Sequence, residues 1–452
     1  MSKDKASGGG LFGLSGQAKD DLIRRFLHRK SEDGENETDA VAARTHSARR
    51  DIPEAFCRFD RLPGYEKLLV PQAAARRLGI DNPFFRVHDG VAGAMTQIEG
   101  RPYINFSSYN YLGLNGHPRV NKSARDAIDR WGTSASASRL VSGERSVQRD
   151  LESALAEFHD TEACVAFVSG HATNVTSIGY LFGPKDLVVH DALIHNSVLQ
   201  GIQLSGAQRR AFPHNDWQSL DQLLAEIRGR HERVLVVVEG LYSMDGDFPD
   251  LPRFVEVKNR HKAFLMVDEA HSLGVLGESG GGIREHFGLA GRDVDIWMGT
   301  LSKTLAACGG YIAGERALVE HLKYAAPGFL YSVGISPPVA AAALEALRIL
   351  LAEPERVGRL QARGRFFLDL ARQRGIDVGT SAGYSVVPAI IRNSLKAAKY
   401  SNALFQRGIN VQPITYPAVE EGAARLRFFL SCNHTEDQIR AAVGALAEVA
   451  GW

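Results

Sequence analysis

At 452 residues the chain exceeds a single ordinary core and predicts two or three domains. Its 44% hydrophobic and 23% charged residues with a net charge of +1 are those of a globular protein, without the basic excess of a nucleic-acid binder. Cys57, Cys164, Cys308 and Cys432 stand far apart with no CxxC pair, no run reaches membrane-span length and the start lacks a secretion signal, so neither a disulfide framework nor a metal site is expected, and a reduced cytoplasmic setting is.

Residues 1–10 read as a disordered start. Leu11 to Arg29 follows, with Ile23, Phe26 and Leu27 spaced as one helix face, then a polar linker to residue 50. The first fifty residues therefore read as an appendage. Its helix packs on its own body or docks a partner, with membrane contact at most peripheral. An N-terminal arm is expected over residues 51–115. In it, Pro71 opens a helix over Pro71–Leu78, and Val91–Arg101 with Pro102–Phe106 forms a hairpin on Glu99-Gly100. Ser107–Leu114 (SSYNYLGL) reads as a loop with Asn110 between two tyrosines.

Residues 116–345 alternate strand and helix, which predicts a mostly parallel sheet covered by helices. Pro118–Trp131 and Val147–Phe158 are helices, and between them GTSASASRLVSGER is small enough to let backbone approach a ligand. Cys164–Val168 is a strand, and Ser169-Gly170-His171 opens the next helix. A loop at a helix N-terminus offers free N–H groups to an anion. Leu187–Val189 leads into His195. Val234–Val238 leads into the polar loop EGLYSMDGD, residues 239–247. The glycine-rich run Gly277–Gly282 fits neither a dinucleotide nor a P-loop pattern and reads as a surface loop. A long helix from Val339 bridges to a C-terminal α/β domain over residues 346–452, in which Arg425 and Arg427 share a strand. Such an arginine is a ready carboxylate fork.

The most informative stretch is 263–314. The apolar run from Ala263 ends at Asp268, and His271 follows. A second run, from Ile296, ends in Gly-Thr-Leu-Ser-Lys, with Thr300, Ser302 and Lys303. Open α/β sheets bind ligands at such strand ends. A lysine there is costly to bury unless it reacts, and an imine with an aldehyde cofactor would remove that cost. An aspartate opposite a pyridine nitrogen would keep the ring protonated as an electron sink.

SYNYLGL, EGLYSMDGD, VDEAHSLGVLG and GTLSKTLAACGGYIAG, taken in order over roughly residues 100–450, resemble the α-oxoamine synthases, the pyridoxal 5′-phosphate family that includes serine palmitoyltransferase, 5-aminolevulinate synthase and 8-amino-7-oxononanoate synthase. The resemblance implies a fold type I (aspartate-aminotransferase-like) α/β homodimer, with a large cofactor-binding domain and a smaller C-terminal one. It implies that Lys303 holds the cofactor as a Schiff base, that Asp268 pairs with the ring nitrogen, that His271 meets the phenolic oxygen and that His195 stacks on the ring. It places the phosphate at Gly170, His171, Thr300, Ser302 and Ser332 of the partner subunit. The substrate carboxylate falls to Arg427, with Asn110 and Ser243 nearby.

The implied reaction is a decarboxylative condensation of an amino acid with an acyl thioester, giving an α-amino ketone, with serine palmitoyltransferase as the nearest pattern. An 8-amino-7-oxononanoate or 5-aminolevulinate synthase, another fold type I enzyme such as an aminotransferase, and a silent partner subunit are the alternatives. A protonated His271 or His195 is expected to donate to the thioester oxygen. His171 stands where the family usually has an aromatic residue, the interface Pro-Pro is displaced with Ser336 in its first place, and the N-terminal hundred residues are long. The GTSASASRLVSGER loop is most similar to synthases that work with acyl carrier proteins, which makes such a carrier an expected partner.

Overall fold

The computed structural model describes residues 52–77, 79–416 and 418–452. The chain divides into two compact units, one ending at Leu78 and one running from Gly79 to Trp452. The amphipathic stretch 11–29 and the linker after it lie outside the described residues. In the first unit, two short 3-10 turns, Glu54–Phe56 and Phe59–Arg61, precede the helix Pro63–Arg77. The helix expected to begin at Pro71 begins at Pro63 instead. Leu62 before it is extended (φ −67°, ψ 134°), as the residue before a proline should be, and Pro63 gives up only an N–H that a first helical residue does not use.

The second unit opens with β1 (His88–Asp89), β2 (Met95–Ile98) and β3 (Arg101–Asn105). Strands β2 and β3 form the expected hairpin, shorter at its outer end. Glu99 and Gly100 both take positive φ, 50° and 74°, which matches the twist of the strands they join. The central sheet has seven strands: β4 (Ala163–Phe167), β5 (Leu187–Asp191), β6 (Gln208–Phe212), β7 (Val234–Glu239), β8 (Phe264–Asp268), β9 (Ile296–Thr300) and β10 (Gly310–Gly314), in the order β4-β10-β9-β8-β7-β5-β6. Only β10 runs antiparallel to its neighbours. Strands β5 and β7 are buried along their whole length, as apolar runs covered on both faces are. Four parallel strands end together at one edge, in Asp191, Glu239, Asp268 and Thr300. The register sets Glu239 directly beside Asp268.

Toward the C-terminus, β11 (Val386–Ile390), β13 (Gln412–Ile414) and β14 (Arg425–Phe429) form an antiparallel sheet, and β12 (Ile409–Asn410) pairs in parallel with β3. The Gly277–Gly282 loop departs from the expectation. Gly280, Gly281 and Gly282 are buried, because a side chain there would run into Glu269, Glu285, Val357 or Leu350. The small-residue stretch after Trp131 also behaves differently. Arg139 is buried in a tight turn, with Nε 2.6 Å from Glu144 and a further pair to Glu152, and the loop packs on residues 334–335. No residue of it lines the cavities described below.

Candidate active site

The strand ends converge on Lys303. Asp268 is buried, and its carboxylate accepts the Asn174 amide N–H (2.9 Å) and the Ala270 backbone N–H (3.0 Å). Lys303 stands in the turn after β9. Burial pulls its ammonium down to about 8, against the opposing pull of Asp268 and Glu239, and Arg427 adds to the lowering. Its Nζ lies 5.5 Å from the centre of the Tyr109 ring. His271 Nδ1 lies 2.7 Å from the Tyr111 hydroxyl, and its ring stacks on Phe429 with planes 12° apart. Burial drives His271 well below the ordinary imidazole range, and His195 is lowered too, first by burial. The expected imidazolium donor is therefore corrected: both rings stand neutral near pH 7.

At the other end of the cavity, Ser169 caps the helix Gly170–Leu181, accepting the Ala172 N–H, so the first N–H groups of Gly170 and His171 are free of that helix. Thr300 Oγ1 donates to the Gly309 carbonyl (2.9 Å) and accepts the Ser302 N–H (3.2 Å). A Cβ at Gly170 would stand 2.9 Å from Thr300 Oγ1, so glycine keeps the helix start and the hydroxyl turn in one cradle.

Gly170, His171, His195, Asp268, His271, Thr300 and Lys303 all line a cavity of about 80 Å³. A second, open cavity of about 390 Å³ shares Lys303 and is lined by Tyr109, Asn110 and Ser302. Ser332, expected to reach the phosphate from the partner subunit, stands apart from this group within its own chain. It lies on the loop after Leu330 and donates to the Val333 carbonyl at 3.2 Å. The displaced Pro337-Pro338 pair has a physical reason: both prolines sit at the start of the helix Pro337–Ala352, where no N–H is needed.

Asn110 is buried with its amide already engaged. It donates to the Ala92 and Asn115 carbonyls (2.8 and 3.3 Å) and accepts the Asn115 N–H. The tyrosines on either side of it reach the site instead. Ser243 donates its N–H to Glu239 Oε2 and accepts Arg427 Nη1 at 3.1 Å through its carbonyl. Arg427 has no carboxylate partner among the described residues, and its Nε is buried without a bond. Arg425 is already committed to Asp245 (2.6 Å). Arg427→Lys is therefore expected to raise the amino acid KM by about tenfold or more, since a planar fork becomes a point charge. Arg425→Lys should lower the melting temperature instead. Steady-state kinetics and thermal melts of the two variants would show the reverse pattern if Arg425 were the anchor.

Two site residues were not read from the sequence. Glu239 is buried beside Asp268, and burial with that neighbouring carboxylate lifts it to about 8, leaving it mostly protonated. Asn174 bridges Asp268 and Ser197. Glu239 Oε1 and Asn174 Oδ1 are buried without a protein partner in the wall of the smaller cavity. These unmet polar atoms, the lowered lysine, the buried aspartate and the helix-start cradle fit pyridoxal phosphate. Among the described residues no cluster could hold a metal ion and no helix is long and apolar enough to cross a membrane.

Residues 101–446 match the family model for aminotransferase class I and II. The chain is 39% identical over 367 residues to the 8-amino-7-oxononanoate synthase of Fervidobacterium nodosum, covering 80% of this chain and 92% of that protein. Its fold matches a lysine-to-alanine variant of serine palmitoyltransferase from S. paucimobilis, solved with a bound pyridoxal phosphate–myriocin aldimine, at a TM-score of 0.82 and 29% identity over 86% of this chain and 98% of that one. It also matches the 8-amino-7-oxononanoate synthase of Francisella tularensis at 0.67 and 25%, over 77% and 98%.

Proposed function

This chain belongs to the aminotransferase class I and II family and within it to the α-oxoamine synthases, and we propose that it makes 8-amino-7-oxononanoate or a close analogue. It is a pyridoxal-phosphate-dependent acyltransferase. The product's connectivity names the reactants. The bond between the keto carbon and the amino-bearing carbon is the new one. The amino-bearing carbon and its methyl come from alanine that has lost its carboxylate. The other seven carbons come from an acyl thioester with a carboxylate at its far end. The observation that carries this reading is the 39% identity to a synthase of that name over four-fifths of the chain.

When bound, pyridoxal phosphate supplies the aldehyde for a Schiff base and a protonated ring that withdraws electrons. The protein supplies the rest. Asp268 would hold the proton on the ring nitrogen. Arg427 grips the amino acid's carboxylate. Lys303 would take the proton from the amino acid's α-carbon, and its lowered basicity suits that exchange near neutral pH. His195 lines the cavity and can donate to oxygen as charge builds on the thioester carbonyl. The α-carbon bonds to the thioester carbonyl carbon as the thiol leaves with a proton, and the carboxylate that leaves as carbon dioxide is replaced on the α-carbon by a proton from solvent.

A second reading, serine with a long alkyl thioester, is favoured by the fold match of 0.82 to serine palmitoyltransferase against 0.67 to the synthase. Product analysis over alanine and serine, crossed with ω-carboxyl and long alkyl thioesters, separates them. Alanine with the ω-carboxyl donor should give the highest kcat/KM, and a preference for serine with the alkyl donor would establish the second reading. Running each donor on coenzyme A and on an acyl carrier protein identifies the carrier. A homodimer is also proposed. Exposed Leu140, Val141, Tyr331 and Val333 lie on two loops tied by the bond from the Gly334 N–H to the Ala137 carbonyl (3.4 Å), a face that a second copy could cover.

A further inference from the structure

A line of polar contacts joins Asp268 to His195 through two buried side chains. Asn174 sits in the helix Gly170–Leu181, and its amide nitrogen lies 2.9 Å from Asp268 Oδ2 and 2.9 Å from Ser197 Oγ. Ser197 is in the first turn of the helix Asn196–Ser205, which His195 caps. Ser197 Oγ lies 2.7 Å from His195 Nδ1, and the Ser197 backbone N–H donates to the same nitrogen at 3.3 Å.

The donors and acceptors along this line permit one arrangement. A carboxylate only accepts, so Asn174 must turn its NH₂ toward Asp268; reversed, two oxygens would face each other at hydrogen-bond distance. The second amide hydrogen then goes to Ser197 Oγ. That leaves the Ser197 hydroxyl hydrogen for His195 Nδ1, which already receives a backbone N–H. A nitrogen met by two donors carries no hydrogen of its own, so the neutral ring carries it on Nε2.

We infer that Asn174 and Ser197 are positioning residues that pass the orientation set by the Asp268 carboxylate to His195 and fix it as an Nε2–H donor to an oxygen of the reacting groups. The inference rests on the synthase reading only for what that donor meets; the hydrogen positions do not depend on the substrate.

Neutron diffraction from crystals of the pyridoxal-phosphate-loaded enzyme exchanged into D₂O tests it without substrate. Deuterium is expected on His195 Nε2 and absent from Nδ1, with the two Asn174 amide deuterons toward Asp268 and Ser197. Deuterium on Nδ1 would overturn the inference whatever the enzyme's product proves to be. Ser197→Ala supplies a second readout in the same holoenzyme. The groups facing His195, namely Asp268, Glu239, Lys303, His171 and Arg427, are unchanged by it. The neutral ring loses a donor that favours it and becomes easier to protonate. The acid limb of kcat/KM should therefore move to higher pH, with kcat lowered on the order of tenfold. The same loss of rate with an unmoved limb would mean that Ser197 serves packing alone, and would overturn the role given to it.

Discussion

Lys303→Ala is expected to abolish turnover while leaving the fold intact. Lys303 is where the two cavities meet, and its surroundings bring the ammonium down to about 8. Alanine removes both the amine that holds the cofactor and the base for the α-carbon. General-base removal alone costs roughly a hundred- to ten-thousandfold, and loss of the covalent anchor adds to that. The protein should still take up pyridoxal phosphate weakly, since the cradle at Gly170 and Thr300 and the Asp268 carboxylate remain. Its visible absorption should be that of free aldehyde rather than of a Schiff base. The wild type has a matching pH signature. The amine of Lys303 reacts only when neutral, so cofactor uptake by the apoprotein should quicken as pH rises through about 8 and level off above it. An alanine variant that condenses substrates at near wild-type rate would remove Lys303 from the chemistry.

Asp268→Asn is expected to lower kcat by about a thousandfold, on the order of 4 kcal/mol of transition-state stabilisation. An amide in that place carries no charge to keep the ring nitrogen protonated. Its one amide oxygen can keep the Ala270 N–H that Asp268 Oδ1 accepts, while the amide NH₂ in the place of Oδ2 is itself a donor and cannot accept from Asn174. The neighbourhood responds in two ways. Lys303 loses a charge that supports its ammonium and becomes less basic. Glu239, held at about 8 partly by the Asp268 charge, becomes easier to ionise. A newly ionised Glu239 beside the vacated carboxylate position can recover part of the lost field. The pair Asp268→Asn with Glu239→Gln should therefore fall below either single variant. Rates and cofactor spectra of the three proteins check this. A loss under about tenfold for Asp268→Asn, roughly 1.4 kcal/mol, would refute the role given to Asp268.

The parts of this site that were legible in the sequence are those set by strand ends. Asp268 and Lys303 follow apolar runs whose length and neighbours fix them at the carboxyl edge of the sheet, and the Gly170 helix start is readable for the same reason. Contacts made across the sheet were not legible. Glu239 closes an apolar run as Asp268 does, but its role depends on the register that sets the two carboxyls side by side. Asn174 lies inside a helix, where a polar residue usually signals nothing. Tyr109 and Tyr111 were passed over for Asn110, because the loop's folding decides that the amide is spent on backbone and the rings face Lys303 and His271. Strand β6 has no apolar run because it is an edge strand with exposed Arg209 and Arg210. The buried glycines at 280–282 read as surface because composition cannot show that neighbouring side chains leave no room for a Cβ.

Arg427 shows how far the sequence could go. Two arginines two residues apart on β14 lie on the same face of the strand, and both are carboxylate anchors by type. Only the ion pair of Arg425 with Asp245 distinguishes them, and it joins residues far apart in the chain.

The most direct measurement is the stoichiometry of carbon dioxide and thiol released by purified, cofactor-loaded enzyme given carboxyl-labelled alanine and an ω-carboxyl acyl thioester. One carbon dioxide and one free thiol should appear per α-amino ketone formed, with neither released when the thioester is omitted. Exchange of the amino group with a keto acid, without thiol release or loss of the label, would contradict the assignment of a decarboxylative acyltransferase.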